Sequence, residues 1–104
     1  MLKKTKIICT QGPATERPGV VDALIANGMN CARFNFSHGD HAEHLNRINM
    51  VREAAKKAGK VISLILDTKG PEMRLGEFKD VKVMLEKGNQ FTLTYEDVSG
   101  DEKH

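Results

Sequence analysis

Apolar residues in the first two-thirds of the chain follow two different periods. The short apolar run at positions 6–10 is rich in β-branched residues, the run at 61–66 is apolar throughout, and both are typical of strands, as is the stretch 29–36. The two stretches between them repeat apolar residues at spacings of three and four, which predicts helices. The apolar positions of these helices are Val20, Val21, Leu24 and Ile25 in the first, then Leu45, Ile48, Val51 and Ala55 in the second. The order strand, helix, strand, helix, strand predicts an α/β fold of two consecutive βαβ units with a parallel sheet.

Residues that favour helix ends flank both predicted helices. Pro18 suits the first turn of the first helix, and Gly28 suits the left-handed position after it. Asp40 and Glu43 have the spacing of a capping box at the start of the second helix, and Gly59 is placed to end it. These residues support the helical assignment of both stretches.

The pattern changes after the segment DTKGPEMR. The segments KVML and FTLTY alternate apolar and polar residues, and the segment EKGN separates them. This pattern predicts a hairpin, so antiparallel strands are expected to begin here. We place a domain boundary between Leu75 and Gly76. The first predicted domain is 1–75, and 76–104 is the beginning of a β-rich domain.

Composition excludes several classes of protein. The net charge is +2, the 16 Lys and Arg residues are scattered, and only four Phe and one Tyr are available for base stacking, so no nucleic-acid partner is expected. No apolar run approaches the roughly 18 residues of a membrane span, so no membrane partner is expected. Cys9 and Cys31 are too few for a disulfide scaffold and are expected to be reduced. We expect a cytoplasmic protein.

Polar segments end or follow each of the three predicted strands. These segments are TQGP after the first strand, RFNFSHG at the second and DTKGP after the third. Because the carboxyl ends of parallel strands meet along one edge of a sheet, all three segments are expected on the same rim. That rim is the usual ligand-binding edge of open α/β sheets and α/β barrels.

Side-chain alternation sorts the second strand into two faces. Arg33, Asn35 and Ser37 are predicted to share one face, and Phe34 and Phe36 the other. A buried row of Arg, Asn and Ser is costly unless these side chains find partners. The guanidinium of Arg33 has the fork geometry that suits a phosphate or a carboxylate. The polar face therefore predicts an anion site.

Oxygen donors beside this anion site favour a hard cation. Asn35 and Ser37 offer neutral oxygens, while Asp67 and Thr68 offer a carboxylate and a hydroxyl from the neighbouring strand end. A purely structural interpretation stays open, in which Asp67 forms an ion pair with Arg33 or with Lys69. Ser37 is equally compatible with an ordinary turn.

Three histidines at a spacing of three, His38, His41 and His44, raise the alternative of a zinc site. His38 is predicted to precede the helix, and no cysteine or second histidine pair supports such a site. Solvated histidines on the helix surface are the favoured interpretation.

Three segments in succession resemble pyruvate kinases: KIICTQGPAT, NGMNCARFNFSHGDHAEH and LILDTKGPEMR. A fourth, VMLEKGNQFTLTYED, resembles the start of the small β-rich lid domain of that family. The resemblance implies a (β/α)8 TIM barrel with the lid inserted after the third strand. The expected fold is therefore a partial barrel, β-α-β-α-β, followed by the first antiparallel strands of the lid.

The resemblance also implies a function, the transfer of phosphoryl from phosphoenolpyruvate to ADP, giving pyruvate and ATP with K+ and Mg2+ as cofactors. It implies contact of Arg33 with the phosphate of phosphoenolpyruvate. The implied potassium ligands are Asn35, Ser37, Asp67 and Thr68. Part of the contribution from Asp67 and Thr68 is implied to come from the backbone of Thr68. Arg74 and His38 are implied on the nucleotide side, with Pro13 near the adenosine. Two residues depart from the family pattern: Gln11 replaces an apolar residue, and Glu43 replaces an aromatic one found in many members.

The length of the chain limits this expectation. A complete α/β barrel takes about 250 residues, whereas this chain has 104. In the family, the acidic magnesium ligands and the general-acid lysine belong to later strands, so the chain alone is expected to be inactive. The exposed barrel-facing side and the strand edges predict self-association into a homo-oligomer. Two alternatives are a binding module for phosphate-bearing ligands and an interaction fragment that docks on the full-length enzyme.

Overall fold

The computed structural model describes residues 3–104, which divide into one compact unit that ends at Gly70 and a second, Pro71–His104. The domain boundary between residues 75 and 76 therefore stays a prediction. The elements of the first unit are the strands β1 (Ile8–Thr10), β2 (Cys31–Asn35) and β3 (Ser63–Asp67), and the helices α1 (Val20–Ala26) and α2 (His41–Ala58). Their order along the chain, β1-α1-β2-α2-β3, and the parallel sheet β1-β2-β3 agree with the two predicted βαβ units.

One face of the sheet carries the core of the first unit. Ala32 and Phe34 of β2 are buried, whereas the alternate residues of the strand are only partly covered. Full burial of an aromatic or branched side chain stabilises a fold by about 1.5–3 kcal/mol, so this small cluster dominates the stability of the unit. The buried apolar residues are Val21, Ile25, Met29, Ala32, Phe34, Val51 and Ala54.

The ends of both helices follow the local chemistry of the sequence. At the start of α2, Oδ1 of Asp40 accepts from the backbone N–H of Glu43 at 2.8 Å, and Oε2 of Glu43 accepts from the N–H of Asp40 at 3.1 Å. The predicted capping box is therefore present, and Gly59 ends α2 with a left-handed φ of 64°. Pro18 was expected in the first turn of α1, but α1 begins after Gly19, whose φ of 79° is incompatible with a helix. No helix in the described part of the chain has the length and apolarity needed to cross a membrane.

The buried stripe of α2 differs from the predicted one. Leu45 was expected on it, but this side chain is 56% exposed. His44 and Arg47 occupy the buried face instead, together with Val51 and Ala54. Both polar side chains find partners inside the fold, so a period counted from apolar residues alone misplaces the first two turns of the stripe.

The second unit lacks the antiparallel strands predicted from its alternating segments. Throughout Pro71–His104, all of which the structure describes, strand pairing is limited to an isolated parallel bridge between Phe78 and Gly100. A single hairpin is marginally stable in water unless further strands or a helix cover its apolar face. Large apolar side chains accordingly remain exposed, including those of Met73, Val81, Met84, Leu93 and Tyr95.

Candidate site at the carboxyl ends of the strands

Strand register places four polar residues on the face of the sheet opposite the helices. Thr10 of β1 is the Cα partner of Arg33 in β2, and Asn35 of β2 is the Cα partner of Asp67, the last residue of β3. Phe34 points the other way, into the core. The predicted separation of Arg33 and Asn35 from the phenylalanines is therefore confirmed.

Arg33 forms the centre of this polar group. Its Nε and Nη2 both donate to Oδ2 of Asp67, at 2.8 Å and 2.5 Å, and its Nη1 donates to Oγ1 of Thr10 at 3.1 Å. The structural ion pair that the sequence left open is thus present. The side chains of Arg33 and Asp67 are 32% and 45% exposed, and ion pairs at such exposure contribute at most about 1 kcal/mol to stability. The pair therefore contributes little to the stability of the unit.

Asn35 organises the turn that leads from β2 towards α2. Its Oδ1 accepts from the backbone N–H of Ser37 at 3.0 Å, and its backbone carbonyl accepts from the N–H of His38 at 3.3 Å. The N–H of Phe36 continues the sheet ladder by donating to the carbonyl of Asp67 at 2.9 Å. These bonds fix the backbone position of Ser37, which follows Asn35, the register partner of Asp67, by two residues. An amide carbonyl has two lone pairs, so Oδ1 of Asn35 retains acceptor capacity towards a cation.

The remaining predicted residues lie outside this bonded group. Pro13 lies in an exposed 3-10 turn, Pro13–Thr15, and Thr68 is exposed after β3. The side chain of His38 is also exposed. Arg74, in the second unit, donates from Nε to Oε2 of Glu72 at 2.7 Å, and this hydrogen bond and the charge of Glu72 raise the pKa of Arg74. The ligand roles of these residues stay predictions.

Thr10 and Arg47, near the rim, were not singled out from the sequence, and His44 was considered only as a zinc ligand or a solvated surface histidine. Thr10 was detectable, because alternation along β1 and parallel register together place it beside Arg33. His44 and Arg47 were not, because polar residues carry no signal in an apolar period. His44 was expected to be solvated, yet it is only 2% exposed, since its ring stacks on Phe36 and its Nε2 lies 2.6 Å from the carbonyl oxygen of His38.

Comparisons with known proteins identify the family of the chain. The family model described as "Pyruvate kinase, barrel domain" matches residues 2–104. The chain is 50% identical over 99 residues to the pyruvate kinase of Staphylococcus saprophyticus and 48% identical to that of Staphylococcus aureus. Each of these matches covers 95% of this chain but 17% of the relative, so the chain spans about a sixth of the length of these relatives.

Solved structures give a consistent result. Two crystal structures of pyruvate kinase from Cryptosporidium parvum match 96% of the chain at 40% sequence identity, with TM-scores of 0.75 and 0.79. The match covers 21% of each of those chains. Together with the family model that spans nearly all of the sequence, these similarities show that the chain belongs to the pyruvate kinase family, within the region described as its barrel domain.

Proposed function

We propose that this chain supplies the phosphate-binding and potassium-binding part of a pyruvate kinase active site. The reaction of such a site transfers phosphoryl from phosphoenolpyruvate to ADP, giving pyruvate and ATP. The observation that carries the proposal is the convergence of Arg33, Asn35 and Asp67 on one rim, in a chain that belongs to this family.

Arg33 is the proposed contact of the substrate phosphate. Its guanidinium is already oriented by Asp67 and Thr10, so little conformational freedom is lost when a ligand binds. About a third of the side chain is exposed, which leaves a route for an anion. Phosphoryl transfer depends largely on positioning and on charge stabilisation, and a fixed arginine provides both.

Asn35, Ser37, Asp67 and Thr68 are the proposed potassium ligands. The fit rests on donor chemistry, because an amide, a hydroxyl and a carboxylate supply the oxygens that hard cations prefer. The register of Asn35 against Asp67 supports the set by placing two of these donors on neighbouring strands. When bound, potassium supplies positive charge that offsets the charge of the transferring phosphoryl group.

The nucleotide and magnesium parts of the reaction are less complete in this chain. Arg74, His38 and Pro13 are the proposed contacts on the nucleotide side. Among the described residues, no group of three or more His, Cys, Asp or Glu side chains is arranged to hold a metal ion, so we assign no Mg2+ ligand and derive no step through Mg2+. We assign no general-acid lysine either. Because the chain spans only about a sixth of the length of its relatives, it is proposed to be inactive in isolation.

The remaining structural expectations belong to the same proposal. The parallel sheet is taken as part of a (β/α)8 barrel, and the segments at 82–85 and 91–95 are taken as strands of the lid that pair once further lid strands cover them. Self-association into a homo-oligomer is proposed on the exposure of Ile8 and Leu66. A cytoplasmic location is proposed for an enzyme of glycolysis.

A second candidate function is a binding module that holds phosphate-bearing ligands without catalysis, or a fragment that docks on the full-length enzyme. The observation that favours binding is that the Arg33–Asp67–Thr10 group forms from residues of this chain alone. The main proposal and this second candidate both predict that the isolated chain binds ligands without turnover.

Isothermal titration of the whole chain with phosphoenolpyruvate tests the proposal, with K+ or Li+ as the only monovalent cation. We expect measurable binding in K+ and weaker binding in Li+. Arg33→Gln should weaken binding by roughly 10- to 100-fold, the range expected for the loss of hydrogen bonds to a charged ligand. Arg52→Gln, which changes an exposed arginine of α2, is the matched control and should bind like the unaltered chain.

Equal affinities for the unaltered chain and Arg33→Gln would refute the role of Arg33. A coupled pyruvate assay is the complementary measurement. Turnover well above background by the chain alone would contradict its proposed inactivity.

A further inference from the structure

His44 is a buried polar side chain that the proposed chemistry does not use. Its ring stacks on Phe36, with ring centroids 4.3 Å apart and an interplanar angle of 16°. Its Nε2 lies 2.6 Å from the backbone carbonyl oxygen of His38. A carbonyl oxygen only accepts hydrogen bonds, so Nε2 carries the proton and donates.

The other ring nitrogen shows why packing alone does not explain a histidine at this position. Among the described residues, Nδ1 of His44 is buried and has no hydrogen-bond partner. In a neutral imidazole that donates from Nε2, Nδ1 bears an unused lone pair. An apolar side chain would fill the space against Phe36 without burying an unpaired nitrogen. The hydrogen bond from Nε2 is thus the feature that only the histidine provides.

The acceptor of this bond lies in the turn that carries the proposed cation ligands. Asn35 and Ser37 belong to the same turn, and Gly39 closes it with a φ of 73°. A Cβ at Gly39 would lie 3.3 Å from Nε2 of His44 and 2.7 Å from Oε2 of Glu43, so the backbone of the turn rests directly on the first turn of α2. The turn is held on one side by the sheet and on the other by His44.

We propose that His44 is a positioning residue. By donating from Nε2 to the carbonyl of His38, it fixes the turn at 35–39 and so sets the position of Asn35 and Ser37. Its effect on potassium rests on the proposed function, whereas its effect on the turn does not.

Three variants of the whole chain separate the hydrogen bond from packing. His44→Leu keeps apolar volume and removes the donor, and His44→Gln keeps an N–H donor of similar reach. His41→Leu is the matched control, because His41 also contacts Phe36, with centroids 5.9 Å apart, but it is exposed. The readouts are the K+ affinity, by NMR titration of the 15N-labelled chain in a Li+ background, and the amide exchange rates at 37–39 without ligand.

We expect His44→Leu to weaken K+ binding and to accelerate exchange at 37–39, each by about 3- to 10-fold, the equivalent of one hydrogen bond. His44→Gln should restore most of both effects, and His41→Leu should leave both within about twofold. Unchanged exchange and affinity in His44→Leu would overturn the proposal, and so would a failure of His44→Gln to restore them.

The test distinguishes this proposal from the proposed function. If the unaltered chain binds no K+ but His44→Leu still accelerates exchange at 37–39, the positioning role is supported and the potassium role is refuted. If His44→Leu does not fold, the 15N chemical shifts of the His44 ring in the unaltered chain test the proposal instead. A protonated Nε2 with a bare Nδ1 supports the proposal, and a protonated Nδ1 overturns it.

Discussion

The two units of this chain both contain segments whose apolar pattern predicts strands, but their packing is very different. In the unit that ends at Gly70, two helices cover one face of a three-stranded sheet, and side chains such as Phe34 and Val51 are fully buried. In the unit Pro71–His104, no residue is buried, and Leu93 and Tyr95 of the alternating segment FTLTY are exposed. Apolar alternation therefore leads to strands only where a partner covers the apolar face.

The difference has a simple energetic basis. Ordering the backbone of a residue costs about 1–2 kcal/mol, and burial of apolar surface must offset that cost. In the first unit the crossover helices provide the covering surface from within the sequence itself. In the second unit no helix or sheet covers the apolar residues of 71–104, all of which are described, and the residues of the predicted hairpin remain irregular.

Removing the central aromatic of the first unit is the largest test of this comparison. Phe34 is 1% exposed and lies at the middle of the sheet, so Phe34→Ala should lower the free energy of unfolding by about 3–5 kcal/mol, the usual cost of the cavity and the lost burial. This loss is a large fraction of the whole stability of a small domain, about 5–15 kcal/mol. Urea denaturation followed by far-ultraviolet circular dichroism measures the change.

The matched change in the second unit is Leu93→Ala, at a side chain that is 74% exposed. It should alter the free energy of unfolding by less than about 0.5 kcal/mol, as surface substitutions usually do. Similar losses for Phe34→Ala and Leu93→Ala would show that the second unit has a core of its own, and the contrast between the units would fail.

The sequence predicts the first unit well because its signals are local. The capping box of Asp40 and Glu43, the left-handed Gly59 and the alternation of Arg33 with Phe34 depend on neighbours in the chain, and all are observed. The sequence placed Asn35 and Asp67 at the ends of neighbouring strands, and the structure adds the register that sets them opposite each other.

The failures arise where a distant partner decides. His44 is buried because its ring stacks on Phe36, and Arg47 is buried because it pairs with Glu16. The apolar periodicity of α2 gives no indication of either partner. Nε of Arg47 donates to Oε1 of Glu16 at 2.7 Å across 31 residues of sequence. The predicted hairpin is not observed, because alternation at 82–85 and 91–95 does not by itself provide a covering partner, and pairing in the described second unit is limited to the bridge Phe78–Gly100.

Substitutions of Gln11 test whether a buried polar side chain destabilises the core of the first unit. Its side chain is buried, and Nε2 donates to the carbonyl of Cys9 at 3.1 Å, but Oε1 has no partner among the described residues. Gln11→Met should raise the free energy of unfolding by about 1 kcal/mol, because removing an unpaired carbonyl outweighs the loss of the bond from Nε2 to Cys9 and of the weak one, at 3.7 Å, from Nε2 to Sδ of Met29. Thermal unfolding of the two chains measures the difference.

Gln11→Glu is the control of similar shape, and it should destabilise the chain because it places a charge at the same buried position. If Gln11→Met is instead less stable than the unaltered chain, the bond to Cys9 outweighs the unpaired oxygen. The site would then be a satisfied polar position rather than a defect of the core.

The smallest expected effect concerns the second unit, where polar contacts rather than a core hold local structure. Oδ1 of Asp101 accepts from the backbone N–H of Lys103 at 2.8 Å and from that of His104 at 3.1 Å. The bond from Lys103 is the main cause that lowers the pKa of Asp101 below its ordinary value of 3.8. Because the pKa is lower in the folded turn, its stabilising effect is present above pH 3.8 and is lost as the pH falls through the lower value.

Amide exchange at Lys103 and His104, measured by NMR as the pH falls from 5 to 2 and corrected for the intrinsic pH dependence of exchange, should therefore show loss of protection below pH 3.8. Asp101→Asn, which cannot ionise, should remove this pH dependence. Protection that persists unchanged to pH 2 in the unaltered chain would mean that packing, not the carboxylate, orders this turn. In that case the second unit would resemble the first more closely than its exposed side chains indicate.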